Sequence, residues 1–213
     1  MESREHCPIP RWSCTNPTAP PSSTTTGART KPPCRQAHCQ PERDEESAIV
    51  ETLPPGAYTA IIRGKAGAIG VSLVEVYDLD AAAPAILANL STRGRVQTGD
   101  NVMIGGFIIS GSTNVTQVAV RALGPSLRDA GLTDVLNDPT LDLRDANGAR
   151  VIFNDNWQDD ADAAEQLVAK DLAPRSAAEA AIFTVLPPGS YTAIVAGRDG
   201  GTGIGLIELY QIR

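Results

Sequence analysis

The stretch Leu186–Val195, which reads Leu-Pro-Pro-Gly-Ser-Tyr-Thr-Ala-Ile-Val, decides the fold because the chain contains it twice. Nearly the same ten residues, Leu53–Ile62, occur 133 residues earlier. The match runs without a gap from Glu46–Asp80 to Glu179–Arg213, with about half of the positions identical. Self-similarity of this kind indicates that the chain is built from repeated structural units.

Each copy predicts a β-hairpin. Pro followed by Gly suits the two central positions of a type II turn, in which glycine adopts a positive φ. A strand that opens with Tyr and is rich in β-branched residues follows, and then a glycine-rich turn, Gly64–Gly70 or Gly197–Gly203. A second strand, Val71–Tyr77 or Ile204–Tyr210, closes the copy.

The repeat divides the chain into three regions. Residues 1–45 have no periodic apolar pattern and are rich in Pro, Ser and Thr, which predicts a disordered tail. Residues 46–80 form a partial repeat, the closing hairpin of a preceding unit, and Asp78–Pro84 is the linker to the next one. An isolated hairpin is marginal in water, so three alternatives arise: the hairpin packs on the neighbouring unit, it completes the sheet of another chain, or the chain is an artificial truncation, which is favoured. Residues 84–213 form one complete unit, about the size of a single core.

Short strand candidates follow one another in the complete unit. Two of them flank Asp145–Gly148, whose Asn-Gly pair predicts a hairpin turn, and Gly105-Gly106 predicts a bulge or a bend. The strand candidates are Ala85–Leu90, Asn101–Ser110, Val115–Leu123, Leu141–Arg144 and Arg150–Asn154, a helix is predicted at Asp160–Leu172, and a shorter turn or helix at Pro125–Ala130. The pattern predicts an all-β fold, a jelly-roll-like β-sandwich with one short inserted helix.

Charge and composition limit the classes of function. The formal net charge is −7, and the acidity belongs to residues 46–213, which argues against nucleic acid or an anionic membrane as partner. No apolar run is long enough to span a membrane, and no signal peptide is visible at Met1. We nevertheless expect the domain to be extracellular or on the cell surface, and one resolution of this conflict is that the chain is a fragment or has a misassigned start.

The side chains that nucleophilic enzymes use are missing from most of the chain. Residues 46–213 contain neither His nor Cys, which excludes Ser-His-Asp and Cys-His nucleophiles and the usual zinc sites there. No P-loop is present either. The tail holds His6, His38 and four cysteines, Cys7, Cys14, Cys34 and Cys39. Their spacing matches no familiar zinc site, so an unstructured leader is favoured. The cysteines could pair if the chain is secreted.

Oxygen ligands concentrate between the last two predicted strands and the helix. Calcium takes six to eight oxygens from flexible loops, and the candidate ligands are Asp145, Asn147, Asn154, Asp155 and Asp159, with Asn156, Asp160 and Asp162 nearby. The favoured alternative is that Asn147-Gly148 is only a turn, Asn156 or Asp159 is a helix cap, and the acids form a solvated face.

Three aromatic side chains are candidates for a binding or structural role. Trp157 could stack on a sugar and is the ligand-binding candidate, although a core anchor beside a turn is favoured because aromatic residues are few. Tyr58 and Tyr191 are placed like the tyrosine corner of β-sandwiches, which predicts a structural role.

Four phrases taken together resemble a known family: Asp142–Gly148, Asn154–Trp157, Pro188–Thr192 and Gly203–Leu206. Their order resembles the bacterial pre-peptidase C-terminal (PPC-like) domain over about residues 138–213 and, by repetition, 46–80. Asn89–Leu127 is similar to tandem units of large secreted bacterial proteins. The resemblance implies a non-catalytic jelly-roll appendage that sometimes binds calcium. The chain departs from the family at Gly205-Leu206, where an aromatic residue is usual, and in its helix.

Three hypotheses follow for function. The preferred one is a non-catalytic structural or interaction module of a secreted or cell-surface bacterial protein, whose partners are neighbouring repeat units or other surface proteins, with polysaccharide as a further candidate. The second is a calcium-dependent carbohydrate- or protein-binding module, and the third a carboxylate-based hydrolase. No catalytic residue and no required cofactor are assigned.

Overall fold

The structure, a computed structural model, describes residues 10–15, 41, 43, 45–80, 86–111 and 114–212. The chain forms two compact units, residues 1–86 and residues 87–213. Apart from the backbone of Cys14, the cysteines and histidines of the tail lie outside the described residues. The linker predicted at Asp78–Pro84 is described only as far as Asp80.

Ten strands and one α-helix are described. In chain order the strands are β1 (Pro10–Thr15), β2 (Thr59–Gly64), β3 (Asn89–Val96), β4 (Met103–Ile109), β5 (Thr116–Leu123), β6 (Pro139–Arg144), β7 (Arg150–Asn154), β8 (Ala180–Leu186), β9 (Gly189–Gly197) and β10 (Gly203–Ile212), and helix α1 (Ala161–Ala169) lies between β7 and β8. Short 3-10 turns occupy Lys65–Gly67, Gly99–Asn101, Pro125–Ala130 and Arg198–Gly200.

The second unit is a sandwich of two four-stranded antiparallel sheets. One sheet has the order β3-β10-β5-β8 and the other β4-β9-β6-β7. Side chains that alternate along both sheets meet in one core, which includes Val96, Val120, Leu141, Leu143, Val195 and Ile207. The all-β sandwich with one short inserted helix is therefore confirmed.

A smaller core lies under the helix. Leu167 of α1 is fully buried against Ala119 and Ala181, and the ring of Trp157 packs against this cluster. The helix begins where Asp160 caps it, since the Asp160 carboxylate accepts the backbone N–H of Ala163 at 3.0 Å. The helix cap is therefore Asp160, and neither Asn156 nor Asp159 as predicted, because the first free N–H groups of the helix lie at residues 161–163.

The repeated stretch is not a hairpin, which corrects the prediction from its turn residues. Strands β8 and β10 belong to one sheet and β9 to the other, so the chain crosses the sandwich twice between Ala180 and Ile212. Gly189 does not have the positive φ that a type II turn requires. The crossing is fixed instead by the Tyr191 hydroxyl, which donates to the Pro187 carbonyl at 2.9 Å as a tyrosine corner does.

The first copy of the repeat, residues 46–80, differs from the second copy, residues 179–213, in its second half. Val71–Tyr77, expected to be a strand, has no regular secondary structure, and β2 pairs instead with β1, inside the segment expected to be disordered. In the second unit β10 lies between β3 and β5. The described part of the first unit contains no such neighbours for Val71–Tyr77, and an unsupported hairpin is only marginally stable in water.

The remaining elements follow the sequence closely. The strand predicted at Arg150–Asn154, the turn at Pro125–Ala130 and the helix are present. Strand β3 begins four residues later than its prediction and extends to Val96. No bulge occurs at Gly105, which pairs in register with Ala193. A Cβ atom there would lie 2.8 Å from Cδ1 of Ile207 in the facing sheet, so a larger residue would require Ile207 to shift.

Candidate functional site

A partly buried ion pair joins two neighbouring strands. Arg121 of β5 lies directly opposite Glu208 of β10, and its Nε–H donates to Glu208 Oε2 at 2.9 Å. The same guanidinium donates to the Leu172 carbonyl at 2.9 Å and to the Tyr210 hydroxyl at 3.1 Å. Only 14% of the Arg121 side chain and 13% of the Glu208 side chain are exposed. The pair therefore fastens β10 to β5 and to the loop after α1.

Tyr210 completes this network. Its ring lies under the Arg121 guanidinium, 5.2 Å from Cζ to the ring centroid, and its hydroxyl donates to Glu208 Oε1 at 3.1 Å. Burial of the phenol raises the pKa of Tyr210, and the negative charge of Glu208 raises it further. The hydroxyl consequently keeps its proton and serves as a hydrogen-bond donor.

A second carboxylate, Glu179, is completely buried. Its Oε1 atom accepts three hydrogen bonds, from the backbone N–H of Gly124 at 3.0 Å, the backbone N–H of Ser126 at 2.9 Å and the Ser126 hydroxyl at 2.6 Å. Its Oε2 atom accepts the backbone N–H of Ser176 at 3.3 Å. Such donors stabilise a buried charge without a cation.

The loop that receives Glu179 is fixed by its own sequence. A Cβ atom on Gly124 would lie 1.9 Å from the Leu136 carbonyl oxygen, so only glycine fits. Pro125 then opens a 3-10 turn. This geometry turns the N–H groups of residues 124 and 126 toward the carboxylate.

Both networks lie on one surface, where residues 179–212 contact the rest of the second unit. We call Glu179–Ile212 the closing segment and residues 87–178 the body. The closing segment supplies Glu179, Glu208 and Tyr210, and the body supplies Arg121, Gly124 and Ser126. No sequence motif marks any of these six residues, although one signal was available: Glu179, Glu208 and Tyr210 recur in the first copy as Glu46, Glu75 and Tyr77.

The calcium candidates fall into two groups at opposite ends of β7, about 15 Å apart at the rise of a β-strand. At one end, Asp145 Oδ1 accepts the backbone N–H groups of Asn147 and Ala149 at 2.8 and 2.9 Å, which closes the β6–β7 turn. Gly148 has φ 79° there. Asp145 and exposed Asn147 thus belong to the predicted hairpin turn, in which Gly148 but not Asn147 has a positive φ.

The other group follows β7. Asn154 is buried, accepts the Ala181 N–H at 2.9 Å and donates to the Asn156 carbonyl at 2.9 Å. Asp155 pairs through Oδ2 with Arg198, and its Oδ1 atom is buried without a hydrogen bond to any described residue. Asp159 is exposed. Within the described ranges, no three His, Cys, Asp or Glu residues are grouped so as to hold a metal ion.

Trp157 is placed as a core anchor would be. Its backbone N–H donates to the Glu179 carbonyl at 2.9 Å, and its indole Nε1–H donates to the Ser176 carbonyl at 3.2 Å. The ring packs against the core under α1. Trp157 therefore connects the helix to the start of the closing segment.

Asp142 of β6 forms a further charged cluster. It pairs with Arg144 at 2.8 Å and with Arg150 at 2.9 Å, and its own side chain is only 13% exposed. The hydrogen bond from Arg150, followed by that from Arg144, lowers the pKa of Asp142 below its ordinary value. The cluster fixes the β6–β7 hairpin.

No helix in the described part of the chain has the length and apolar character needed to cross a membrane. No protein-family model matches the sequence, and no curated protein matches it. Among solved structures, the chain is similar to the pre-peptidase C-terminal domain of collagenase from Bacillus anthracis. The sequence identity is 14% and the TM-score 0.34, with 57% of this chain and 89% of that chain covered. This is the family that the sequence motifs resemble, and at this TM-score the similarity carries no argument about activity or partners.

Proposed function

We propose that residues 87–212 are a non-catalytic structural and interaction module of a secreted or cell-surface bacterial protein. One observation carries the proposal: Glu179, Arg121 and Glu208, which are among the best-buried charged side chains of the sandwich, hold the closing segment on the body. Glu179 binds the Gly124–Ser126 loop, and Glu208 binds Arg121. A catalytic carboxylate needs contact with a substrate, whereas these two are occupied by backbone and arginine donors.

The repeat supports units of the same kind as partners. Glu46–Asp80 matches Glu179–Arg213 without a gap, and a tandem unit normally packs on its neighbours. The acidic composition fits an extracellular setting and not a nucleic-acid partner. We therefore place the interaction partners among neighbouring units and surface proteins, with polysaccharide as a second class.

A panel of ester, glycoside, peptide and phosphoester substrates tests the absence of catalysis. We expect the intact protein to give no turnover above that of the heat-denatured protein. Asp155→Asn and Asp142→Asn are the matched variants, because these two carboxylates are not held by the Glu179 or Glu208 networks. Turnover by the intact protein that either variant loses would overturn the proposal.

A further inference from the structure

The first copy exposes apolar side chains at positions where its counterpart in the second unit is half-buried. Val71 and Leu73 are 84% and 78% exposed. At the corresponding positions of β10, Ile204 and Leu206 are half-buried. Ile207 is only 4% exposed, whereas its counterpart Val74 is half-buried. Exposed apolar residues along one segment mark a surface that another element covers, and the second unit shows which kind of element does so.

The turn after β2 in the first copy has the backbone shape of the turn after β9 in the closing segment. Ala66 has φ 54° and ψ 28°, and Asp199 at the corresponding position has φ 52° and ψ 30°. The next residues, Gly67 and Gly200, have φ 79° and 78°. A left-handed conformation at a non-glycine residue is uncommon, so its presence at both sites shows a common local fold.

Three side-chain hydrogen bonds are also shared. Tyr58 donates to the Pro54 carbonyl at 2.8 Å, as Tyr191 does to Pro187 at 2.9 Å. Tyr77 donates to Glu75 at 3.0 Å, as Tyr210 does to Glu208 at 3.1 Å. Glu46 accepts the Arg43 N–H at 3.4 Å, as Glu179 accepts the Ser176 N–H at 3.3 Å.

Most of the buried residues of the closing segment are kept in the first copy, although Ala180 corresponds to Ser47. Six of the buried residues of the closing segment are Glu179, Leu186, Tyr191, Ala193, Val195 and Ile207. The corresponding residues are Glu46, Leu53, Tyr58, Ala60, Ile62 and Val74. Four are identical and the other two differ by a single methylene, a change that packed cores tolerate.

Two glycine positions of the closing segment test whether the first copy would fit against the same kind of body. A Cβ atom on Gly203 would lie 2.5 Å from the backbone of Val135 and Leu136 in the body, and the first copy keeps a glycine there, Gly70. A Cβ atom on Gly205 would lie 3.0 Å from Val96 Cγ2, and the first copy has Ser72. At these two positions the first copy therefore fits such a body with one tight contact.

We propose that Glu46–Leu79 is a second closing segment whose partner is a sandwich body of the same kind as residues 87–178. Glu46 and the Glu75–Tyr77 pair specify that body: it carries an arginine at the position of Arg121 and a Gly-Pro-Ser loop like Gly124–Ser126. The body of this chain is already occupied by its own closing segment, so the partner is another body of this type.

Docking changes the pairing of β2. In the second unit β9 is paired on both edges, by β4 and β6, whereas β1 is the one described strand that pairs with β2. A body that receives the first copy supplies both neighbours and replaces β1. A two-stranded sheet is marginal in water, so little stability opposes the exchange.

A chimera tests whether the first copy can close a body. In this full-length chain, residues 179–213 are replaced by the sequence of residues 46–80. We expect a cooperative thermal transition by circular dichroism and protection of residues 87–178 from protease, with a lower midpoint than in the unchanged chain because serine replaces Gly205. Ser72→Gly in the transplanted segment should raise the midpoint.

The matched control carries Val74→Asp in both copies of the segment, which places a carboxylate where Ile207 is buried, and it should lose the transition. The absence of a transition in both the chimera and its Ser72→Gly form would overturn the proposal, as would a control that melts like the chimera. The inference rests on the proposed interaction role, but its readout is folding, so catalysis found on the substrate panel would leave it standing.

Discussion

Arg121 of β5 and Glu208 of β10 face each other across neighbouring strands, and the Arg121 Nε–H donates to Glu208 Oε2 at 2.9 Å. The pair lies where the closing segment meets the body, and both side chains are largely withdrawn from water. Removing one partner leaves the other charge poorly solvated, which costs more than the pair itself contributes. The same glutamate occurs in the first copy as Glu75.

Substitutions in this pair should show strong coupling. We expect Arg121→Met and Glu208→Gln each to lower the free energy of unfolding by roughly 2–4 kcal/mol, and the double variant to lose less than the sum. Urea unfolding at pH 7 measures the cycle. Arg95→Met is the control, since Arg95 pairs with Asp134 on the exposed surface and should cost less than about 1 kcal/mol. Additive effects of the two substitutions would contradict the role of the pair.

Replacing the Glu179 carboxylate with an amide should lower the free energy of unfolding. Glu179→Gln places an NH2 group among N–H donors that now point at two carboxylate oxygens, and we expect it to cost roughly 2 kcal/mol. Glu165→Gln on the exposed face of α1 should stay within about 0.5 kcal/mol of the unchanged protein. Equal stability of the two variants in urea would show that the carboxylate does not hold the Gly124–Ser126 loop.

Asp142 should make the free energy of unfolding depend on pH in the acidic range. Its folded pKa lies below the unfolded value of about 3.9, so its contribution is present above that value and is lost as the pH falls through the folded pKa. We expect Asp142→Asn to lower the free energy of unfolding by about 1 kcal/mol at pH 7 and the two unfolding curves to converge at low pH. Asp129→Asn, at an exposed pair, is the control. A difference that persists unchanged at pH 2 would refute this pKa assignment.

Calcium should have little effect on the folded protein. The candidate ligands lie at both ends of β7, and Asp155 already binds Arg198. We expect the melting midpoint in calcium to equal that in magnesium or with chelator present. A rise with calcium alone, abolished by Asp155→Asn, would instead favour the calcium-dependent binding hypothesis.

Much of the fold could be predicted from local sequence signals. The Asn-Gly turn, the alternation in β5 and the acidic start of α1 each depend on neighbours along the chain. The choice of sheet for β8, β9 and β10 does not. It depends on which faces are buried by distant strands, so Pro188-Gly189 was interpreted as a tight turn although the chain crosses the sandwich there.

The candidate site was harder to predict for the same reason. The partners of Glu179 are backbone N–H groups 53 and 55 residues away, and no motif of side chains marks them. Arg121 and Glu208 are separated by 87 residues and meet only through strand register. The repeat was the one usable signal, because it keeps the glutamates and the tyrosine of the closing segment in the first copy.

The most direct measurement is the thermal unfolding of a chain that ends at Ala178, with and without Val74→Asp. In this chain the first copy is the one closing segment left, and residues 78–88 can join Tyr77 to Asn89 because Tyr210 pairs with Asn89 in the sandwich. We expect a cooperative transition with Val74 intact and none with Val74→Asp, whereas the same substitution in the full chain should leave the melting of residues 87–212 unchanged. A truncated chain without a transition, or one indifferent to Val74→Asp, would contradict a second closing segment.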